Sequence, residues 1–274
     1  MNDLSMVGND TVVASLAITD LYTLHCKPCL KEYARVNEVY LGTGTTPPYV
    51  IIGKDGLNTL DGIKGAKLRS AGALWDRFAD AVGASGVNVP SSDMYDGLSR
   101  GIIDTTIYAV GGLKTHSLAD VAKVVVMMPL GSFRTDNLFA FNMDRWAELT
   151  PDQRTAVLHA TAIGVVATDF AYLEGDKEGL EVARKQNIPL KKPGRDLLKL
   201  RNAFIKKDVS NAVERAKKNY HIEDPKSFID TYCELYAKYD DLIKPFHEDQ
   251  QKIVNVLWKE VFSKVDVNSY GMKR

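Results

Sequence analysis

Residues 49–110 read YVIIGKDGLNTLDGIKGAKLRSAGALWDRFADAVGASGVNVPSSDMYDGLSRGIIDTTIYAV, and the fold class turns on this stretch. Tyr49–Gly53 is a short run rich in β-branched residues closed by Lys54-Asp55-Gly56, which predicts a buried strand and a turn. In Leu57–Gly72 the glycines at 62 and 65 break a polar turn before a second short strand, Ala66–Arg69. Leu74, Phe78 and Val82 then recur at helical spacing until Gly83 stops them, and a strand from Gly86 to Val89 ends at Pro90. Ser92 is the expected N-cap of a helix carrying Met94, Tyr95 and Leu98, which Gly101 terminates before a strand from Ile102 to Val110. Strands alternating with helices at this interval predict an α/β architecture with a largely parallel sheet, whose ligands sit at the carboxyl ends of strands. Arg69 stands at such an end.

Outward from this unit the pattern is less regular. Val12–Tyr40 reads as mixed strand and helix ending near Gly42, and Thr43–Pro48 as loop. Lys123–Met128 and Leu138–Phe141 read as two further strands, with a Gly/Ser/Arg/Thr/Asp crossing between domains in the middle. A capping box, with Thr150 as N-cap, Pro151 at the first helical position and Gln153 at the third, opens a helix running towards Lys185. Asp224-Pro225 starts another helix with Phe228, Tyr232, Leu235 and Tyr239 on one side. A last helix carries a stripe of Ile253, Leu257 and Val261.

The chain has 274 residues, 45% of them hydrophobic, enough for one large or two modest cores. Its 35 basic and 35 acidic residues cancel, so the general electrostatic pull towards nucleic acid is missing and a nucleic-acid partner is not expected. No apolar stretch is expected to approach the roughly 20 residues of a bilayer-spanning helix; the best, Val121–Leu130, is interrupted by Lys123 and Pro129. MNDLSMVGND carries no export-signal pattern.

HExxH, GxSxG and GxxxxGK[ST] are absent, and the five histidines are scattered, so neither a metal nor a cofactor nor a catalytic residue is expected. Cys26 and Cys29 form a CxxC in a helical stretch, open to three readings: a redox pair, a structural disulfide, or buried thiols. Arg184–Lys218 holds twelve Lys/Arg against three acidic residues, either a contact patch for an acidic partner or a solvated helix face. Arg69, between a strand and the small residues Ser70, Ala71 and Gly72, is either a surface ion-pair member or a bidentate donor for a carboxylate.

Taken in order, TLDGIKGAKLRSAG, VGASGVNVP and SDMYDGLSRGIIDTT resemble the DctP family, the substrate-binding proteins of tripartite ATP-independent periplasmic (TRAP) transporters. Asp61, Gly62, Gly65, Lys67 and Arg69 match the family's first motif, and Gly83 and Ala84 its second. Asp93, Tyr95, Leu98, Gly101, Ile103 and Asp104 match its third, and Trp146 and Leu149 its last. The closing VFSKVDVNSYG is similar to the family's C-terminal helix and tail.

The resemblance implies a periplasmic-binding-protein fold of class II type: a two-domain clamshell with a long interdomain helix. Domain I would comprise residues 1–48 and 135–175, domain II residues 49–134 and 176–274, and the helix from about 151 would bridge both. It implies a periplasmic, mostly monomeric receptor that captures a small organic carboxylate for TRAP permease subunits and performs no chemistry. Arg69 falls on the family's carboxylate-gripping arginine. Where sialic-acid-type members carry a second arginine, this chain has Tyr49; Tyr108 replaces an asparagine and Ser91 an aromatic residue, which argues for a less charged, partly apolar monocarboxylate. Phe133 and Asn137 are further candidates for the wall of the site. Relative to the family the chain begins late, so domain I is expected to be incomplete and to belong to a longer parent. Two rival readings are a thiol-disulfide oxidoreductase using Cys26 and Cys29, and a cytoplasmic ligand-sensing domain.

Overall fold

The computed structural model describes residues 1–272. Its strands are β1 (Glu38–Val39), β2 (Val50–Gly53), β3 (Lys67–Arg69), β4 (Ser85–Val87), β5 (Thr105–Tyr108), β6 (Val124–Val126), β7 (Phe141–Asn142) and β8 (Leu190–Lys191). The chain divides into two compact units: Met1–Asn9 with Thr46–Phe133 and Tyr172–His221, and Asp10–Thr45 with Arg134–Ala171 and Ile222–Arg274.

The first unit is built on a six-stranded sheet in the order β4-β3-β5-β2-β6-β8. β3 runs parallel to β4 and β5, and β6 parallel to β8. The expectation of a largely parallel sheet is corrected at its centre, where β2 is antiparallel to both β5 and β6. The run YVII is apolar throughout because both faces of β2 are buried. Tyr49 and Ile51 join a cluster with Leu68, Trp75, Phe78, Val124 and Val126, while Val50 and Ile52 join Met94, Leu113, Leu118 and Val125 on the other face. The helix Ala73–Ala81 buries Leu74, Trp75, Phe78 and Ala79, and Trp75 Nε1 donates to Leu130 O at 2.8 Å.

Two local expectations differ here. Ser92 is not an N-cap: it lies inside a 3₁₀ turn, Ser91–Asp93, and its hydroxyl donates to Asp93 Oδ1. The strand expected over 102–110 is confined to Thr105–Tyr108, because Ile102 is exposed and the chain turns into a short helix at Gly112–Thr115.

The second unit is mostly helical, with the short antiparallel pair β1–β7. Every residue of the helix Thr11–Asp20 is buried, so it must be covered on all sides. The helix Pro225–Ile243 provides cover through Tyr232, Leu235, Tyr239 and Ile243. Tyr239 Oη donates to Asp20 Oδ2 at 2.8 Å, and Tyr236 Oη accepts from Asp10 N at 3.0 Å. This packing is why residues 222–274 group with 10–45, whereas the sequence reading places them with 49–134. That reading's strand at Leu138–Phe141 is also displaced, to Phe141–Asn142.

The long helix covers Pro151–Lys185, and its capping box forms: Thr150 N donates to Gln153 Oε1 at 2.8 Å and Gln153 N to Thr150 Oγ1 at 3.3 Å. The division between the units falls after Ala171 of this helix. By length and composition it is apolar enough to cross a membrane, with a mean hydropathy of 1.5 over 18 residues, which corrects the expectation that no stretch comes near that length: its apolar residues are interspersed with small and polar ones. Leu158, Ala162, Val165 and Val166 are buried, and Asp169 in the same stretch is fully buried, accepting from Ser15 Oγ at 2.8 Å. Near its other end Gly179 has no room for a side chain: a Cβ would stand 2.3 Å from Val110 O. The helix therefore lies directly against the turn after β5.

Candidate functional site

Arg69 is the last residue of β3, in register with Val87 of β4 and Thr106 of β5. It is only 7% exposed. Its Nε donates to Val89 O at 2.9 Å and its Nη1 reaches Ile107 O at 3.5 Å, so backbone on both sides aims the guanidinium. No acidic side chain is paired with it among the described residues. Burial pulls its pKa below the usual arginine value, and the Tyr49 and Tyr108 phenols oppose that pull. The alternative of a surface ion pair is thereby corrected: Arg69 is an interior cation held by neutral groups.

Tyrosines complete the surroundings. The guanidinium carbon lies 5.9 Å from the centroid of the Tyr108 ring, within cation–π range. Tyr108 stacks on Tyr49 with centroids 5.2 Å apart and planes at 27°, and Tyr49 in turn meets Trp75 at 5.4 Å. Burial pushes both phenols up and Arg69 pulls them back. Tyr172, 40% exposed on the long helix, is close enough to act electrostatically on both. Phe133 packs, half-buried, against the same apolar cluster, its backbone N donating to Thr46 Oγ1 at 3.0 Å. Ser91 is half-buried at the start of the 3₁₀ turn, two residues beyond the Val89 carbonyl that Arg69 uses.

Asn137 belongs to the other unit, where its amide is committed to backbone at the end of β1 and just beyond it: Oδ1 accepts from Leu41 N at 2.9 Å and Nδ2 donates to Val39 O at 3.1 Å. The same unit holds an arginine that sequence reasoning does not single out. Arg134 is 1% exposed, with Nη2 donating to Tyr232 Oη at 2.8 Å and its guanidinium carbon 4.9 Å from that ring's centroid. Nothing in the local sequence around Arg134 distinguishes it from a loop arginine.

Two residues that shape the tyrosine layer also escape the sequence reading. His116 Nε2 is 3.0 Å from Tyr108 Oη, and its ring meets the Tyr108 ring edge-on at 89°. Gly112 lies where a Cβ would come 2.6 Å from Tyr108 Cδ1, so only glycine lets the ring settle there. In the sequence His116 is one of several scattered histidines; its proximity to Tyr108 comes from the chain turning back through Gly111 and Gly112.

Cys26 and Cys29 are joined in a disulfide. Cys26 is the N-cap of the helix Lys27–Arg35, its sulfur accepting from Cys29 N, so the motif opens a helix where the sequence reading has it inside one.

A β-sheet core flanked by helices, a strand-end arginine and a helix shared by two units define an α/β two-domain periplasmic-binding-protein fold. Residues 30–192 match DctP, the bacterial extracellular solute-binding protein family 7, and the chain belongs to that family. It is similar to a TRAP periplasmic solute-binding protein of Bordetella bronchiseptica with bound (R)- and (S)-mandelate, at 20% identity and a TM-score of 0.72, covering 86% of this chain and 73% of that one. A TRAP solute-binding protein of Rhodoferax ferrireducens in complex with copurified benzoate is similar at 18% identity and a TM-score of 0.72, covering 85% and 72%. DctP7 of Bordetella pertussis, an extracytoplasmic receptor binding pyroglutamic acid, matches at 19% identity and a TM-score of 0.66, covering 84% and 75%. The family is one of extracellular solute-binding proteins, so the protein is periplasmic, and the cytoplasmic sensing-domain reading is overturned.

Proposed function

We propose that this chain is the receptor of a TRAP permease and captures a small, ring-bearing organic monocarboxylate, with Arg69 as the group that grips the carboxylate. The observation that carries this reading is a buried guanidinium, oriented by two backbone carbonyls, for which the described residues provide no anionic partner. Leaving a charge so placed is costly unless a counter-ion arrives, and a carboxylate matches the planar fork in both charge and geometry. Tyr108 and Tyr49 offer ring faces and hydroxyls beside it, Phe133 adds apolar surface to the same cluster, and Ser91 stands near the strand end that Arg69 contacts. Asn137, with its amide engaged elsewhere, is left out of the proposed contacts.

The ligands named for the similar structures, mandelate and benzoate, are monocarboxylates carrying a ring, which supports the same class here. A Lys could replace the charge of Arg69 but not its two-pronged geometry. A thermal-shift screen of organic acids tests the reading: stabilisation is expected with ring-bearing monocarboxylates and is expected to vanish in Arg69→Ala. An acid whose stabilisation survives that substitution unchanged would remove Arg69 from the site.

A further inference from the structure

The contact between Tyr108 and His116 has a polarity, and that polarity bears on which acids the site prefers. Tyr108 Oη and His116 Nε2 are 3.0 Å apart, so one hydrogen lies between them. A phenol is the better acid and a neutral imidazole the better base, which favours the phenol as donor. Burial, and next to it the charge of Arg69, hold the His116 pKa below its ordinary value, which keeps the ring neutral and its acceptor nitrogen available. The ring of Tyr108 has little freedom to turn away. It is stacked on Tyr49 on one side, meets the backbone at Gly112 on another, and its strand pairs with β2 at Val50.

We propose that His116 is a positioning residue that accepts the Tyr108 hydroxyl proton, so that Tyr108 Oη presents lone pairs to a bound solute. The site then prefers ring-bearing carboxylates that carry a hydroxyl donor on the ring over the same acids without it. The inference rests on the Arg69 reading above. The Arg69 guanidinium carbon lies 5.9 Å from the Tyr108 ring centroid, so the carboxylate grip and the hydroxyl acceptor belong to adjoining side chains.

Isothermal titration of the whole chain with benzoate, 3-hydroxybenzoate and 4-hydroxybenzoate tests the proposal. At least one hydroxylated acid is expected to bind wild type about three- to tenfold tighter than benzoate, the range of one added hydrogen bond. Tyr108→Phe, whatever it does to the affinity for benzoate itself, is expected to bring the ratio of hydroxylated acid to benzoate to about one. His116→Phe is expected to lose most of the preference, and His116→Gln, whose side-chain carbonyl still accepts, to keep it; a purely structural role for His116 would not predict that rescue. A wild-type ratio of one, or a ratio unchanged in His116→Phe, overturns the proposal. Arg69→Ala separates the two readings: equal affinities for all three acids in wild type and Arg69→Ala sink the Arg69 assignment whatever the ratio. Failure of all three acids to bind wild type at millimolar concentration sinks the hydroxyl preference, and the Arg69 assignment is then decided by the wider acid screen.

Discussion

Each unit buries one arginine among tyrosines, and the two are bonded differently. Arg134 is enclosed by its own unit, its guanidinium over the Tyr232 ring and bonded to the Tyr232 hydroxyl, and its backbone bridges to Thr45. Among the described residues Arg69 is bonded to two main-chain carbonyls, Ile107 in β5 and Val89 just beyond β4, and the aromatic rings beside it leave its charge uncompensated. Burial depresses both pKa values, so depression alone does not tell a structural cation from a receptive one. What differs is whether the fold itself provides the partner.

The same substitution in both places breaks or sharpens the comparison. Arg134→Met strips a fully buried hydrogen-bonded cation and leaves the Tyr232 hydroxyl without it, and is expected to cost about 2–4 kcal/mol in urea unfolding. Arg69→Met removes an uncompensated charge, so the ligand-free protein should stay within about 1 kcal/mol of wild type. Carboxylate affinity should fall by about 1.5–3 kcal/mol, roughly ten- to a hundredfold, by calorimetry. Equal stability losses in the two variants would erase the distinction.

The Cys26–Cys29 disulfide lies in the Arg134 unit and closes a loop of only four residues, so Cys26→Ser with Cys29→Ser should cost at most about 2 kcal/mol of stability. Carboxylate binding should be unchanged in that double variant. A loss of binding that tracks reduction of the pair would instead support a redox role for it.

The smallest expected effect concerns a buried acid. Asp176, in the Arg69 unit, accepts from Gly111 N at 2.7 Å, and burial pushes its pKa up to about 6 from 3.8. The folded protein therefore binds this proton more tightly than the unfolded chain. The cost of the charged form is fully present above about pH 6 and is relieved as pH falls towards 3.8. Asp176→Asn keeps the acceptor and removes the charge, so it should raise stability at pH 8 by on the order of 1 kcal/mol and have less effect at pH 5. Thermal melts at the two pH values check this; a larger gain at pH 5 would reverse the assignment. Asp169, two helical turns earlier and in the other unit, is pushed up further by complete burial but accepts from both Ser15 Oγ and Thr45 N, so its replacement would also disturb that packing.

Much of the fold was legible in local chemistry. The capping box at Thr150–Gln153 and the stops at Gly83 and Gly101 identify helix ends because these signals act over a few residues. Arg69 could be placed at a strand end for the same reason. Strand direction could not be read this way: a central strand buried on both faces looks alike whether its neighbours run with it or against it, and β2 runs against both. Nor could the placement of the C-terminal helices, because an amphipathic stripe announces that it will be buried without saying on what.

Sequence by itself determined the helix stops at Gly83 and Gly101, the capping box at Thr150, that β2 is apolar on both faces, and that an arginine ends β3. Tertiary structure alone decided what surrounds that arginine. Its contacts come from Val89 and Ile107, 20 and 38 residues away, and from Tyr49 and Tyr108, brought together by the sheet order β4-β3-β5-β2. Burial, hydrogen bonding and charge act through space, and the distances between those groups exist only once the strands have paired.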